Sequence, residues 1–175
     1  MTIIALDRLQ IGLLALIKDR PTDTTDSYLN EVARSDALVL VREISASWRA
    51  TSLETNAPLT TALLRQRGTL GDELVDLIQM RGLSPFHGDL REQFLRQAMG
   101  HSDPIVVAVA SFERALAGVA DGTVHSELIT DWTVDPYAVL GALLSNRALP
   151  DLPSAPHRTA VGPEIAGGFR VEPCL

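Results

Sequence analysis

Six side chains of this sequence have types that could do chemistry: His87, His101, His125, His157, Cys174 and Glu113. A zinc or iron site built within one chain usually announces itself by ligands three or four residues apart on a helix, or by a Cys-x-x-Cys step. None of the four histidines has such a neighbour, and each stands in loop-like sequence. No metal site is therefore expected within this chain. Cys174 could become a nucleophile only if a neighbour lowered its pKa. Preceded by Pro173 and one residue from the end, it has nothing to hold a base beside it, and is expected to be a bystander thiol. Phosphate loops, Gly-x-Ser-x-Gly and Gly-x-Gly-x-x-Gly are all missing. The basic "RQRG" at 65–68 fits an ordinary complement to a helix C-terminus. No catalytic residue and no cofactor of the chain's own follow from these residues. They point to a binding module.

Glu113 belongs to the best-signalled helix. Asp103 caps it and Pro104 takes the first helical position, where a missing N–H costs nothing. Ile105, Val109, Phe112, Leu116 and Val119 then form one apolar stripe. Glu113 is the lone carboxylate on the 106–110–113–117 shoulder. It is expected at the edge of the core, reaching water or an arginine.

The other elements must supply a frame for these residues. The 175-residue length fits one domain, which can bury roughly 70% of its unfolded surface. Hydrophobic residues make up 46% of the chain but aromatics only 5%, so Leu, Ala, Val and Ile do the packing. That favours helices over a sandwich. The formal charge is −7 and Lys18 is the sole lysine, which argues against a nucleic-acid partner. The stretch "TIIALDRLQIGLLALIKDR" is interrupted by Asp7, Arg8 and Gln10. It reads as an amphipathic helix on Leu6, Leu9, Leu13 and Leu16 or Ile17, not as a signal peptide or a membrane span. One cysteine excludes an intrachain disulfide, and a cytoplasmic setting is expected.

Pro21 breaks the chain after that helix, and Asp26 or Thr25 caps the next. Residues 27–50 read helical in one or two pieces, with a break allowed at 34–36. Leu29 and Val32 serve the first piece; Ala37, Leu40 or Val41, Ile44 and Trp48 serve the second, with Trp48 expected in the core. Asn56 is the expected cap of a helix with Pro58 in its first turn, Leu59, Leu63 and Leu64 inward, and Gly68 as terminator. Thr69 starts another, with Leu74, Leu77 and Ile78 inward and Gly82 at its end. A loop around Pro85 precedes a helix bearing Leu90, Phe94 and Leu95, and Asp135–Pro136 starts the last one. Beyond Leu149 five prolines and three glycines exclude helix. "RTAV" and "FRVE" alternate as strands do, and "ELITDWTV" at 127–134 offers a third. The expected fold is mainly α: a helical bundle with a small C-terminal β-element of two to three short strands. Residues 1–149 form the helical body, including the strand near 127–134, and 150–175 a Pro/Gly-rich tail with a β-hairpin packed on it. Trp132 is left open between a core and an interface role.

The runs "DPIVVAVASFERAL" and "DWTVDPYAVLGALL" resemble a family. It comprises the helical partner proteins of multinuclear non-heme iron oxidative enzymes in peptide natural-product (RiPP) biosynthesis. The shared theme is an acid–Pro start (Asp103–Pro104), a Phe–Glu pair (Phe112–Glu113), a Trp (Trp132) and an acid–Pro step (Asp135–Pro136). The preceding "LTTALLRQRGTLGDELVDLIQMRGLSPFHGDLREQFL" is similar to the family's helical section, so the likeness covers roughly residues 40–150. The chain looks most like the compact TglI-type partners of the 3-thiaglutamate pathway. HvfC-type and MbnC-type partners are more distant, and the larger C-terminal half of the HvfC type is missing here.

The resemblance implies that iron sits in a TglH-like partner enzyme. It also implies that this chain binds a ribosomal precursor (carrier) peptide and presents the peptide's C-terminal cysteine for modification. Two exposed apolar candidates for the enzyme contact are Phe86 and Trp132. A strand edge is a template for an extended peptide, so Trp132, Phe169, Arg170 and Val171 are the candidate peptide-binding residues. The alternative class is an HvfC-like or DNA-associated α-helical regulatory protein, against which the acidic charge argues.

Overall fold

The computed structural model describes residues 3–18, 25–79 and 89–174. Among these run α1 (Ile3–Ile17), α2 (Ser27–Ala33), α3 (Asp36–Asn56), α4 (Pro58–Arg67), α5 (Leu70–Gln79), α6 (Asp89–Ala98) and α7 (Pro104–Ala120). After them come β1 (Leu128–Trp132), α8 (Pro136–Leu144), β2 (His157–Val161) and β3 (Phe169–Pro173). The protein is mainly helical with a small antiparallel sheet, as its sequence leads one to expect. Phe86, His87, Pro21 and Gly82 lie outside the described residues, as does the side chain of Ile78.

Short polar side chains start four helices by accepting backbone N–H groups that have no partner inside the helix. Asp26 accepts from Tyr28 and Leu29, Ser35 from Ala37, Asp103 from Ile105, and Asp135 from Tyr137. Gly68 ends α4 at φ 75°, a left-handed conformation that suits a residue without Cβ. The break at 34–36 is present, between α2 and α3. Asn56 is not the expected cap. It still belongs to α3, and its side-chain amide donates back to the Ser52 carbonyl at 2.7 Å. The cap position of α4 falls to Ala57, which has no side-chain acceptor to offer.

The main core is drawn from α3 to α8 and the sheet. Leu53, Leu63, Leu64, Leu77, Phe94, Leu95, Val109, Phe112, Val139 and Val161 lie deep within it. Leu16 of α1, Leu29 and Leu38 form a second, smaller cluster that holds α1 and α2 against the start of α3. On α7 the buried face is broader than the expected stripe, taking in Val106, Ala110 and Glu113, while Ile105, Leu116 and Val119 are only half-buried. On α3 the expectation fails outright. Its buried positions are Leu38, Arg49 and Leu53, whereas Leu40, Val41 and Ile44 are exposed and Trp48 is 78% exposed. The inward face runs through Leu38, Arg42, Ser45, Arg49 and Leu53, so the fold covers a mixed face and leaves the apolar stripe outside.

Strand order is β1-β2-β3, with Thr130 opposite Thr159 and Thr159 opposite Val171. β2 and β3, from the Pro/Gly-rich tail, thus join β1 in one sheet. Leu128, Thr130 and Trp132 share a face with Thr159, Val161, Phe169 and Val171, and this face meets α7 through Phe112. The opposite face carries Asp131, Arg158, Arg170 and Glu172.

Candidate functional site

With β2 in the middle, β1 and β3 are both edges of the sheet. The bonding parity of β3 follows from the two hydrogen bonds that flank it. Gly162 N–H donates to the Gly168 carbonyl, and Cys174 N–H donates to the Pro156 carbonyl. Antiparallel pairs alternate between bonded and non-bonded positions, so residues 168, 170, 172 and 174 turn their backbone groups toward β2. Phe169, Val171 and Pro173 therefore turn theirs away from the sheet. The outer edge presents the N–H groups of Phe169 and Val171 and the carbonyls of Phe169, Val171 and Pro173. Among the described residues no strand pairs with this side.

Phe169 anchors the edge from below. Its ring stands 5.1 Å from that of Phe112 and 6.3 Å from that of Tyr137, which is 60% exposed at the start of α8. Tyr137 thus lies beside the edge as an amphipathic contact. Nothing in the sequence marks it out from any other first-turn residue, because its place beside the edge depends on a ring contact with Phe169 of a distant segment. Val171 is half-buried on the inner face. Arg170, on the outer face, is engaged within the sheet: its guanidinium meets both oxygens of Glu127 at 3.0 and 2.8 Å and Glu172 at 2.6 Å. The Glu172 and Glu127 carboxylates hold its pKa above the usual value. Arg158 is paired with Asp131 in the same way. This outer face is an ionic lattice at the surface.

Of the two roles open to Trp132, the structure has the core role. It is 2% exposed, and its indole N–H donates to the Thr159 hydroxyl at 2.9 Å. It can hold β1 on β2 but cannot meet a partner as an exposed anchor. Glu113 also departs from expectation. Its carboxylate is buried and accepts from the backbone N–H of Leu59 at 2.8 Å and of Thr60 at 2.9 Å. It caps α4 from a different helix, filling the place that Ala57 leaves empty. Burial pushes its pKa up, and the donors of Thr60 and Leu59 pull it back only in part.

His101 Nδ1 accepts from the Asp103 N–H, and His157 Nδ1 lies 2.7 Å from the Ala155 carbonyl. Among the described residues no three His, Cys, Asp or Glu side chains are grouped so as to hold a metal ion. Cys174 is half-buried and free. No helix of the described residues is long and apolar enough to cross a membrane. Comparison with known proteins yields no match: no family model, no curated protein and no solved structure matches the chain.

Proposed function

We propose that this chain is a non-catalytic partner subunit that binds a ribosomal precursor peptide in extended form along the free edge of β3. The peptide's C-terminal cysteine would be presented to a separate TglH-like iron-dependent oxidative enzyme. The observation that supports this reading best is the outward parity of Phe169, Val171 and Pro173. An incoming strand would find two donors and three acceptors at the spacing of a ladder, which give affinity. Tyr137 and Phe169 would flank its inner-face side chains, and Arg170 and Glu172 its outer-face ones. The iron enzyme and the cysteine come from the family resemblance of the 103–136 segment. The geometry contributes the edge.

The test is Val171→Pro. Its N–H points away from β2, so the substitution removes a docking donor without removing a bond within the sheet, at an edge position where proline is tolerated. Calorimetric titration would use a synthetic precursor-type peptide ending in cysteine, with thermal melts alongside. Affinity should fall at least about tenfold, or ~1.4 kcal/mol, in a variant that keeps its helical circular dichroism. Unchanged affinity in the folded variant would falsify pairing at β3.

A further inference from the structure

We propose that the outer face of α3 is a homodimer seam, closed by the same face of a second copy of this chain running antiparallel to it. Ala37, Val41, Ile44 and Trp48 stand at spacings of four, three and four, the seven-residue pattern of a helix that packs along another helix. All four are exposed, Ile44 by 50% and Trp48 by 78%, and Leu40 flanks them at 56%. The other stripe of α3 already serves the interior through Leu38 and Leu53. The seam is therefore surplus to the fold of one copy.

The order of residues along the seam says what closes it. A two-fold axis midway between Val41 and Ile44 sets Val41 against the second copy's Ile44, and Ala37 against its Trp48. Each contact then occurs twice, as a symmetric dimer requires. The largest side chain of the seam meets the smallest, which is how facing positions fill space without voids. The area is also sufficient. Trp48 leaves on the order of 150 Å² of ring uncovered, and Leu40, Val41 and Ile44 together a similar amount. Two copies would bury on the order of 600 Å² of apolar side chain. With the polar rim that accompanies it, this reaches the roughly 1,000 Å² of a specific interface, a little over half of it apolar. At about 300 Å² per copy the seam matches the largest apolar patch of an ordinary monomer, a size that is often functional. Each copy carries a formal charge of −7, so salt should strengthen the association by screening repulsion.

Sedimentation equilibrium of the full chain decides the matter, with Trp fluorescence alongside. A dimer is expected that tightens with salt. Its formation should shift the emission of Trp48 to the blue, while Trp132, already buried, adds no change. Ile44→Glu places a carboxylate from each copy in the seam and should weaken dimerisation by about 100-fold or more, with helical content unchanged. Ala37→Trp alone sets ring against ring and should weaken the dimer. The exchange Ala37→Trp with Trp48→Ala should restore it, because the axis only swaps which end carries the ring. A chain that stays monomeric at every concentration, a dimer indifferent to Ile44→Glu, or a dimer not rescued by the exchange each overturns the proposal. The first outcome would leave this face to a different protein.

Discussion

Glu113 is the residue whose replacement tests the architecture most directly. Glu113→Ala strands the Leu59 and Thr60 N–H groups, which the carboxylate now meets at 2.8 and 2.9 Å inside the core. A buried donor left without a partner costs about 1–3 kcal/mol. Two such donors and the lost burial of one methylene, ~0.8 kcal/mol, oppose the relief of no longer holding a carboxylate away from water. The net loss should be about 3 kcal/mol. For a chain of this size that lowers Tm by about 6–12 °C. Glu113→Gln keeps one acceptor and turns an amide N–H toward the other donor, so about 1–2 kcal/mol should go. Urea unfolding followed by circular dichroism gives both numbers. Hydrogen exchange should show the Leu59 and Thr60 amides losing protection before the rest of α4. A Glu113→Ala variant within about 0.5 kcal/mol of wild type, at equal m value, is what a carboxylate at the rim of the core would give, and would refute the interhelical cap.

The pH dependence has a defined sign. Burial raises the Glu113 pKa in the folded state, so that state holds the proton more tightly than the unfolded chain. Its contribution is full below the unfolded value of about 4.3 and is lost as pH climbs through the raised folded value. The stability of wild type relative to Glu113→Gln should therefore fall over that window and then level, as urea midpoints at successive pH values would show. Glu92, held low chiefly by Arg114, acts in the opposite direction but is common to both proteins and cancels. Trp132→Phe removes the N–H bonded to Thr159 and leaves a gap beside Phe112, so it should cost about 2–3 kcal/mol by denaturant melts. In the folded fraction, peptide affinity should not change; a drop there would mean that Trp132 touches the ligand.

Local signals were legible in the sequence where one short segment carries both partners of an interaction. The caps at Asp26, Asp103 and Asp135, the Gly68 terminator and the strand alternation of 157–161 and 169–173 are of this kind. What stayed hidden depends on contacts between distant segments. The acceptor that α4 needs comes from Glu113, more than fifty residues downstream, so a carboxylate in an apolar helix reads as a misfit until α4 is laid against it. α3 turns inward a face that carries Arg49 between Leu38 and Leu53. Periodicity within one segment cannot say that the rest of the chain will cover this face in place of the apolar stripe. Trp48, the larger prize by hydrophobicity, was left outside while Leu38 and Leu53 went in. The outward parity of Val171 is likewise a property of register with β2, and alternation alone shows only which face its side chain takes.

The Phe112–Glu113 pair gains a physical meaning from this. Consecutive residues on a helix point about 100° apart, so the two side chains of one step can engage different layers. Glu113 reaches across to the N-terminus of α4. Phe112 reaches the sheet, standing edge-on to Trp132 at 6.0 Å and to Phe169 at 5.1 Å. Such edge contacts contribute about 0.5–1.5 kcal/mol each beyond burial and constrain the angle between rings. α7 is thereby the axle of the molecule, gripping the bundle with one residue and the sheet with the next. β3, an edge strand with one neighbour, would otherwise be the part of the sheet most free to fray. Pinned through Phe169 to the same helix that holds α4, its unpaired backbone groups keep a fixed orientation. Less ordering entropy would then remain to oppose the proposed docking of an extended peptide.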